Sequence, residues 1–175
     1  ARVAHVQAGH PEKTVIISRQ QSYHGVNYGG LAATGLPLNR AGFGEMLPEV
    51  VHVPQHDLDA LGAVCAQHAG RIAAIMSEPV QGAGGVHPPK PGYLEGLRAL
   101  ADQHGALLIF DEVICGFGRL GTWWGAQHYG ITPDLVTFAK GVSSGYVQLG
   151  GVLVGPAVRG PLEADTSFLL RHGYT

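Results

Sequence analysis

Five consecutive apolar residues, Ala106–Phe110, run directly into two acids, Asp111 and Glu112. A continuous apolar run of that length, rich in Leu and Ile, reads as a strand buried on both faces, and such strands belong to parallel sheets. In an open α/β sheet, ligands sit outside the carboxyl ends of the strands, so acids there face a site more often than solvent. A second short apolar run, Leu135–Ala139, is entered through Pro133-Asp134 and ends at Lys140. A carboxylate and a lysine at the mouths of two buried strands suggest one site holding both. An arbitrary Asp and Lys would more often form a structural ion pair, so the rest of the chain has to decide.

Other strand and helix signals alternate along the chain. Thr14–Ser18 is a β-branched strand, Val50–Val53 a second and Arg71–Met76 a third. Asp57–His68 has N-cap chemistry at Asp57 and apolar residues at helical spacing. Gly92–His104 places Leu94, Leu97, Leu100 and Ala101 on one face, with Gly105 as its C′ residue. Leu149–Gly155 adds a late strand, Pro156–Glu163 a short helix, and Ala1–Gly9 reads as part of a helix. The alternation predicts an α/β fold, a mostly parallel sheet sandwiched by helices. The segment Gly25–Gly35 reads as a glycine-rich loop, and Thr122–Gly130 as poor helix sequence.

With 175 residues, 45% hydrophobic and only 14% charged, the chain can bury a substantial core. A formal charge of -2 gives no electrostatic footprint for nucleic acid or an anionic membrane, and no apolar run reaches membrane length. Cys65 and Cys115 form neither a CxxC pair nor a disulfide framework, which fits a reducing cytoplasm. The chain has no initiating Met and opens inside a helical pattern, so the expectation is a piece of a larger protein.

Two decoys need weighing. Gly116–Gly121 (GFGRLG) matches GxGxxG after a strand, which makes an NAD-dependent oxidoreductase the first rival. Pyrophosphate, however, needs a tight, electropositive strand-to-helix turn, and two acids intervene here. The ten histidines show no HExxH and no zinc spacing, so no metal site is expected. Tyr23 in Ser22-Tyr23-His24-Gly25 could lie against a flat ligand, or be an ordinary exposed turn tyrosine.

Taken in order, SYHG at 22–25, EPVQGAGG at 78–85, DEVICGFGRLG at 111–121, PDLVTFAKG at 133–141 and HGYT at 172–175 resemble the class III aminotransferases, pyridoxal-phosphate enzymes of fold type I. The resemblance implies roles. Lys140 would be the Schiff-base lysine and proton shuttle. Asp111 would pair with the pyridine nitrogen and keep it protonated, so that the ring accepts electrons. Val113, read as two positions further along the same strand face, would pack on one side of the ring, and Tyr23 would stack on the other with His24 and Gly25 shaping that wall. Glu78 would sit near the phenolic side. Thr175 would reach the phosphate of a neighbouring subunit, which implies a homodimer with shared sites in the cytoplasm.

Residues 1–175 would then be a partial large cofactor-binding domain, lacking the upstream phosphate-binding turn and the C-terminal small domain. Ala83 and Ile114 stand where ornithine- and GABA-type members carry Glu and Gln. DEVICGFGR and AKGVSSGY are instead similar to the ω-amino acid or amine:pyruvate transaminases, with an amine donor and a keto-acid acceptor as substrates. PPKPGYLEGLRAL is also similar to glutamate-1-semialdehyde aminomutases, which keeps an aminomutase as the alternative. A third possibility is a non-catalytic piece that keeps the fold but is inactive alone.

Overall fold

The computed structural model describes residues 1–164. In chain order it contains α1 (Arg2–Gln7), β1 (Val15–Arg19), α2 (Tyr28–Ala33), α3 (Pro37–Arg40), β2 (Val50–Val53), α4 (Leu58–Gln67) and β3 (Ile72–Ser77). These are followed by α5 (Tyr93–Gln103), β4 (Leu107–Asp111), α6 (Gly125–Tyr129), β5 (Leu135–Phe138), a 3₁₀ turn at Lys140–Val142, β6 (Gly151–Val154) and α7 (Pro156–Ala164). The six strands form one sheet in the order β2-β1-β3-β4-β5-β6. The first five are parallel and β6 runs antiparallel to β5. The α/β, mostly parallel architecture read from the sequence is therefore what the chain adopts.

Both faces of the sheet are covered, which explains why its strands are apolar without a strict alternation. On one face α4 and α5 bury Leu61, Cys65, Leu94, Leu97 and Ala101 against Ile17, Ile75, Leu108 and Phe110. On the other, Ala4 of α1 and Val158 of α7 pack on Ala74, Leu107 and Leu135. Each fully buried leucine contributes roughly 1.5–3 kcal/mol. Truncating Leu97, at the centre of α5's buried stripe, would cost about 2–5 kcal/mol.

Local chemistry fixes the helix ends. The Asp57 carboxylate accepts the Ala60 N–H at 2.8 Å and caps α4. Gly105 takes the left-handed conformation (φ 56°) beyond α5, which lets the chain turn at once into β4. The start of β5 is tied to β4 by Asp134, whose carboxylate accepts both the Leu108 N–H and an Arg98 N–H, each at 2.8 Å.

Four local expectations are corrected. The loop read at Gly25–Gly35 contains α2. The segment Thr122–Gly130 contains α6, because the Glu112 carboxylate accepts the N–H groups of Gly125 (2.8 Å) and Ala126 (2.7 Å) and so caps a helix its own sequence does not favour. Glu112 accordingly points into the protein and not into a site. Strand β4 stops at Asp111, so Val113 is not on its strand face; Val113 lies in the following turn, where its N–H donates to Asp111 Oδ1 at 3.0 Å.

Candidate active site

The carboxyl ends of β1, β3, β4 and β5 lie side by side, and strand order reverses between β1 and β3, the kind of switch point at which α/β sheets open a crevice. Tyr23, His24 and Gly25 follow β1, Glu78 follows β3, Asp111 ends β4, and Lys140 follows β5. All of them, with Val113, Ile114 and Ala139, line a single cavity of about 310 Å³. Thr175 and the HGYT motif lie outside the described residues.

The interior end of this cavity is a carboxylate held by an imidazole. His24 Nδ1 lies 2.7 Å from Asp111 Oδ2, and the His24 side chain has 0% of its surface exposed. With Val113 N–H on its other oxygen, the Asp111 carboxylate is fixed in orientation from both sides. The His24 backbone N–H donates to Thr34 Oγ1 at 2.9 Å, and Thr34 Oγ1 in turn donates to Gly30 O in α2. Sequence reading missed Thr34, since nothing local marks a threonine in a glycine-rich segment as a site support.

Glu78 is buried and its carboxylate accepts two backbone N–H groups, from Tyr23 at 3.0 Å and Gly82 at 2.8 Å. It thereby joins the loop after β1 to the turn after β3. Burial pushes its pKa up, and the two N–H donors act in the opposite direction. Its carbonyl accepts the buried Arg19 guanidinium at 2.6 Å, a further tie between the same two strand ends.

Lys140 is the exposed member of the group and has a backbone φ of 43°. It also lines an adjoining cavity of about 350 Å³ with Val113, Ile114, Gly116, Phe117, Arg119 and Gly141. The lining therefore combines a primary amine, an oriented buried carboxylate, a tyrosine ring and apolar Val113 and Ile114. Such a set can hold a flat heterocycle that carries a carbonyl for the amine and a basic nitrogen for the carboxylate.

The GFGRLG segment does not form a phosphate cradle. Four of its N–H groups are already used: Phe117 donates to Trp123 O (2.6 Å), Gly118 to Thr122 O (3.1 Å), Gly121 to Gly118 O (3.0 Å) and Gly116 to Glu112 O (2.8 Å). No helix starts on it, which removes the pyrophosphate site a nicotinamide oxidoreductase would need. Among the described residues no three His, Cys, Asp or Glu side chains converge as a metal site. No helix among them is long and apolar enough to cross a membrane.

Comparison with known proteins agrees with this architecture. The family model for aminotransferase class-III matches residues 1–166. An omega-aminotransferase of Caulobacter vibrioides is 41% identical over 98% of this chain and 44% of its own length. A beta-alanine–pyruvate aminotransferase of Pseudomonas aeruginosa is 41% identical over 95% of this chain and 42% of its own. Among solved structures, an (S)-enantioselective omega-transaminase from Thermomicrobium roseum superimposes with a TM-score of 0.94 at 40% identity, over 99% of this chain and 43% of that one. The chain spans less than half the length of these relatives. Sequence and superposition agree over nearly the whole chain, which therefore belongs to the class-III aminotransferase family.

Proposed function

We propose that this chain is the cofactor-binding core of a pyridoxal-phosphate-dependent transaminase that moves an amino group from a primary amine or ω-amino acid to pyruvate or a similar keto acid. The observation that carries the reading is the convergence of Lys140, the buried Asp111–His24 pair, Tyr23 and Val113 on one cavity. Family membership supports the transamination, and the relative named beta-alanine–pyruvate aminotransferase supports the acceptor class.

The residues fit that cofactor. Tyr23 and Val113 offer an aromatic and an apolar surface to a flat ring, Asp111 offers an oriented anion to the ring nitrogen, and Lys140 offers an amine to the aldehyde carbon. Pyridoxal phosphate, when bound, supplies an electron sink for the pair left when the donor's Cα–H bond breaks. Asp111 holds the proton on the ring nitrogen that makes the sink effective, and His24 keeps the carboxylate aimed. Lys140 would hold the cofactor by its aldehyde carbon and, with its amine free, would accept the donor's Cα proton and give it back. Glu78 keeps the Tyr23 backbone in place through its N–H.

The cycle is ping-pong. The donor leaves its nitrogen in the cavity and departs as a carbonyl compound; the keto acid then enters the same cavity and departs as an amino acid. A cytoplasmic homodimer is part of the proposal. Trp123, Tyr146, Val147 and Leu149 expose apolar surface on the segments after Asp111 and Lys140, the kind of surface a second copy covers.

Replacement of Lys140 by Ala in the full-length protein tests the reading. Transfer from amine to pyruvate, measured as alanine formed, should fall to background. Turnover at the wild-type rate by the variant refutes it.

A further inference from the structure

The GFGRLG segment lines only the adjoining cavity, not the one that holds Asp111, yet it touches both flanks of Lys140. Building on the assignment of Lys140 as the cofactor lysine, the geometry points to Phe117 as a positioning residue that fixes the Lys140 turn from behind. Lys140 has φ 43°, a region in which a non-glycine residue is strained by roughly 1–3 kcal/mol and persists only where its surroundings over-determine it. On its N-terminal side, Phe138 of β5 packs edge-on against the Phe117 ring, centroids 6.0 Å apart. On its C-terminal side, Gly141 lies so close to Phe117 that a Cβ built there would stand 3.1 Å from the Phe117 Cβ and 3.2 Å from its ring. One aromatic side chain thus braces the residues on both sides of the lysine.

Phe117 is itself held firmly enough to serve as a brace. It too has a positive φ, 58°, and its N–H is bonded to Trp123 O at 2.6 Å. Its ring packs against Trp124 with centroids 4.9 Å apart and against Trp123 at 6.5 Å. Gly116 N–H donates to Glu112 O at 2.8 Å, which anchors the segment to the end of β4 next to Asp111. The lysine and the carboxylate are thereby referred to one rigid piece of backbone. The 3₁₀ turn that begins at Lys140 is closed by long backbone bonds, Val142 N–H to Ala139 O (3.2 Å) and Ser143 and Ser144 N–H to Lys140 O and Gly141 O (both 3.3 Å). The shorter bonds, Ser143 Oγ–H to Val147 O (2.7 Å) and Tyr146 N–H to Ser143 O (3.0 Å), lie beyond it. Packing on Phe117 supplies the restraint these bonds do not.

The test uses the full-length protein with Phe117→Ala, Phe117→Leu, Gly141→Ala and the Gly141→Ala/Phe117→Ala pair. In the cofactor-free protein, hydrogen exchange of the 139–146 segment should speed up at least severalfold in Phe117→Ala while exchange in β1 and β3 stays as in the wild type. In the loaded protein, Phe117→Ala should lower kcat about ten- to a hundredfold, the cost of displacing a reacting group by a fraction of an ångström to an ångström. KM for the amine should stay within about twofold, since Phe117 is not among the residues lining the cavity that holds Asp111. Gly141→Ala should impair kcat alone, and the pair should recover more than the product of the single effects, because removing the ring makes room for the new methyl. If Phe117→Ala does not fold, Phe117→Leu and Gly141→Ala read the same exchange and kcat changes. Unchanged exchange at 139–146 and kcat within about twofold in every folded variant would overturn the proposal. Failure of the underlying assignment is separately visible: a borohydride-trapped cofactor in the wild-type protein would then map to a residue other than Lys140.

Discussion

His24 and Asp111, 87 positions apart in sequence, meet at 2.7 Å beneath the candidate cofactor cavity, the imidazole with 0% and the carboxylate with 7% of its side-chain surface exposed. Asp111 was legible as a candidate-site residue from its place at the end of an apolar strand, and it lines the cavity. Its partner was not, since His24 reads from sequence only as part of a wall beside Tyr23. Under the proposed reading, the pairing makes His24 the group that would orient the carboxylate toward the cofactor's ring nitrogen.

Removal of that imidazole should therefore act through Asp111. A hydrogen bond to a charged group is worth roughly 1.5–3 kcal/mol, about ten- to a hundredfold in rate. His24→Ala should lose that much kcat while keeping the covalent link at Lys140, measured by borohydride trapping and steady-state kinetics on the same preparation. Trapping intact with kcat within about twofold of the wild type would show that Asp111 needs no such support.

Glu112 carries a prediction about folding instead of chemistry. It donates nothing to the cavity and accepts the first two N–H groups of α6 at 2.8 and 2.7 Å. Glu112→Ala leaves buried donors without acceptors, at about 1–3 kcal/mol each. Glu112→Gln keeps one acceptor oxygen and should cost about half as much. The shift of the urea midpoint at constant m-value measures both; equal, negligible shifts would mean that α6 stands without its cap.

The same residue shows where sequence reading stopped. Elements set by their own residues were legible: Asp57 caps α4, Gly105 ends α5, and β4 is an apolar run. The helix at Gly125–Tyr129 was not, because its first two N–H groups are satisfied by a carboxylate 13 positions upstream, across a turn. Nor was the ending of β4 at Asp111, where the carboxylate captures Val113 N–H and turns the chain out of the strand. Val113 reaches the cavity by that turn and not by strand alternation. Local pattern specifies elements; side chains that bond to distant backbone decide how their ends are laid together.

Stability should depend on pH through the two buried glutamates. Burial raises the pKa of Glu78 and of Glu112 above the ordinary 4.5. A raised carboxyl holds its proton in the folded protein at a pH where the unfolded chain has released it. Its contribution is fully present below 4.5 and is lost as pH rises through the raised folded value. Unfolding free energy followed upward from pH 4 should therefore show a falling component that Glu78→Gln and Glu112→Gln each diminish. A profile in which neither substitution alters the slope contradicts the burial effect.

The central claim is that Lys140 bonds the cofactor in a cavity based on Asp111. The full-length protein, loaded with pyridoxal phosphate and freed of excess, should retain a visible absorbance band. Borohydride should abolish that band and leave the label on the peptide containing Lys140, and Lys140→Ala should show neither band nor label. A folded protein that retains no band, or a label mapped to any other lysine, would contradict the claim.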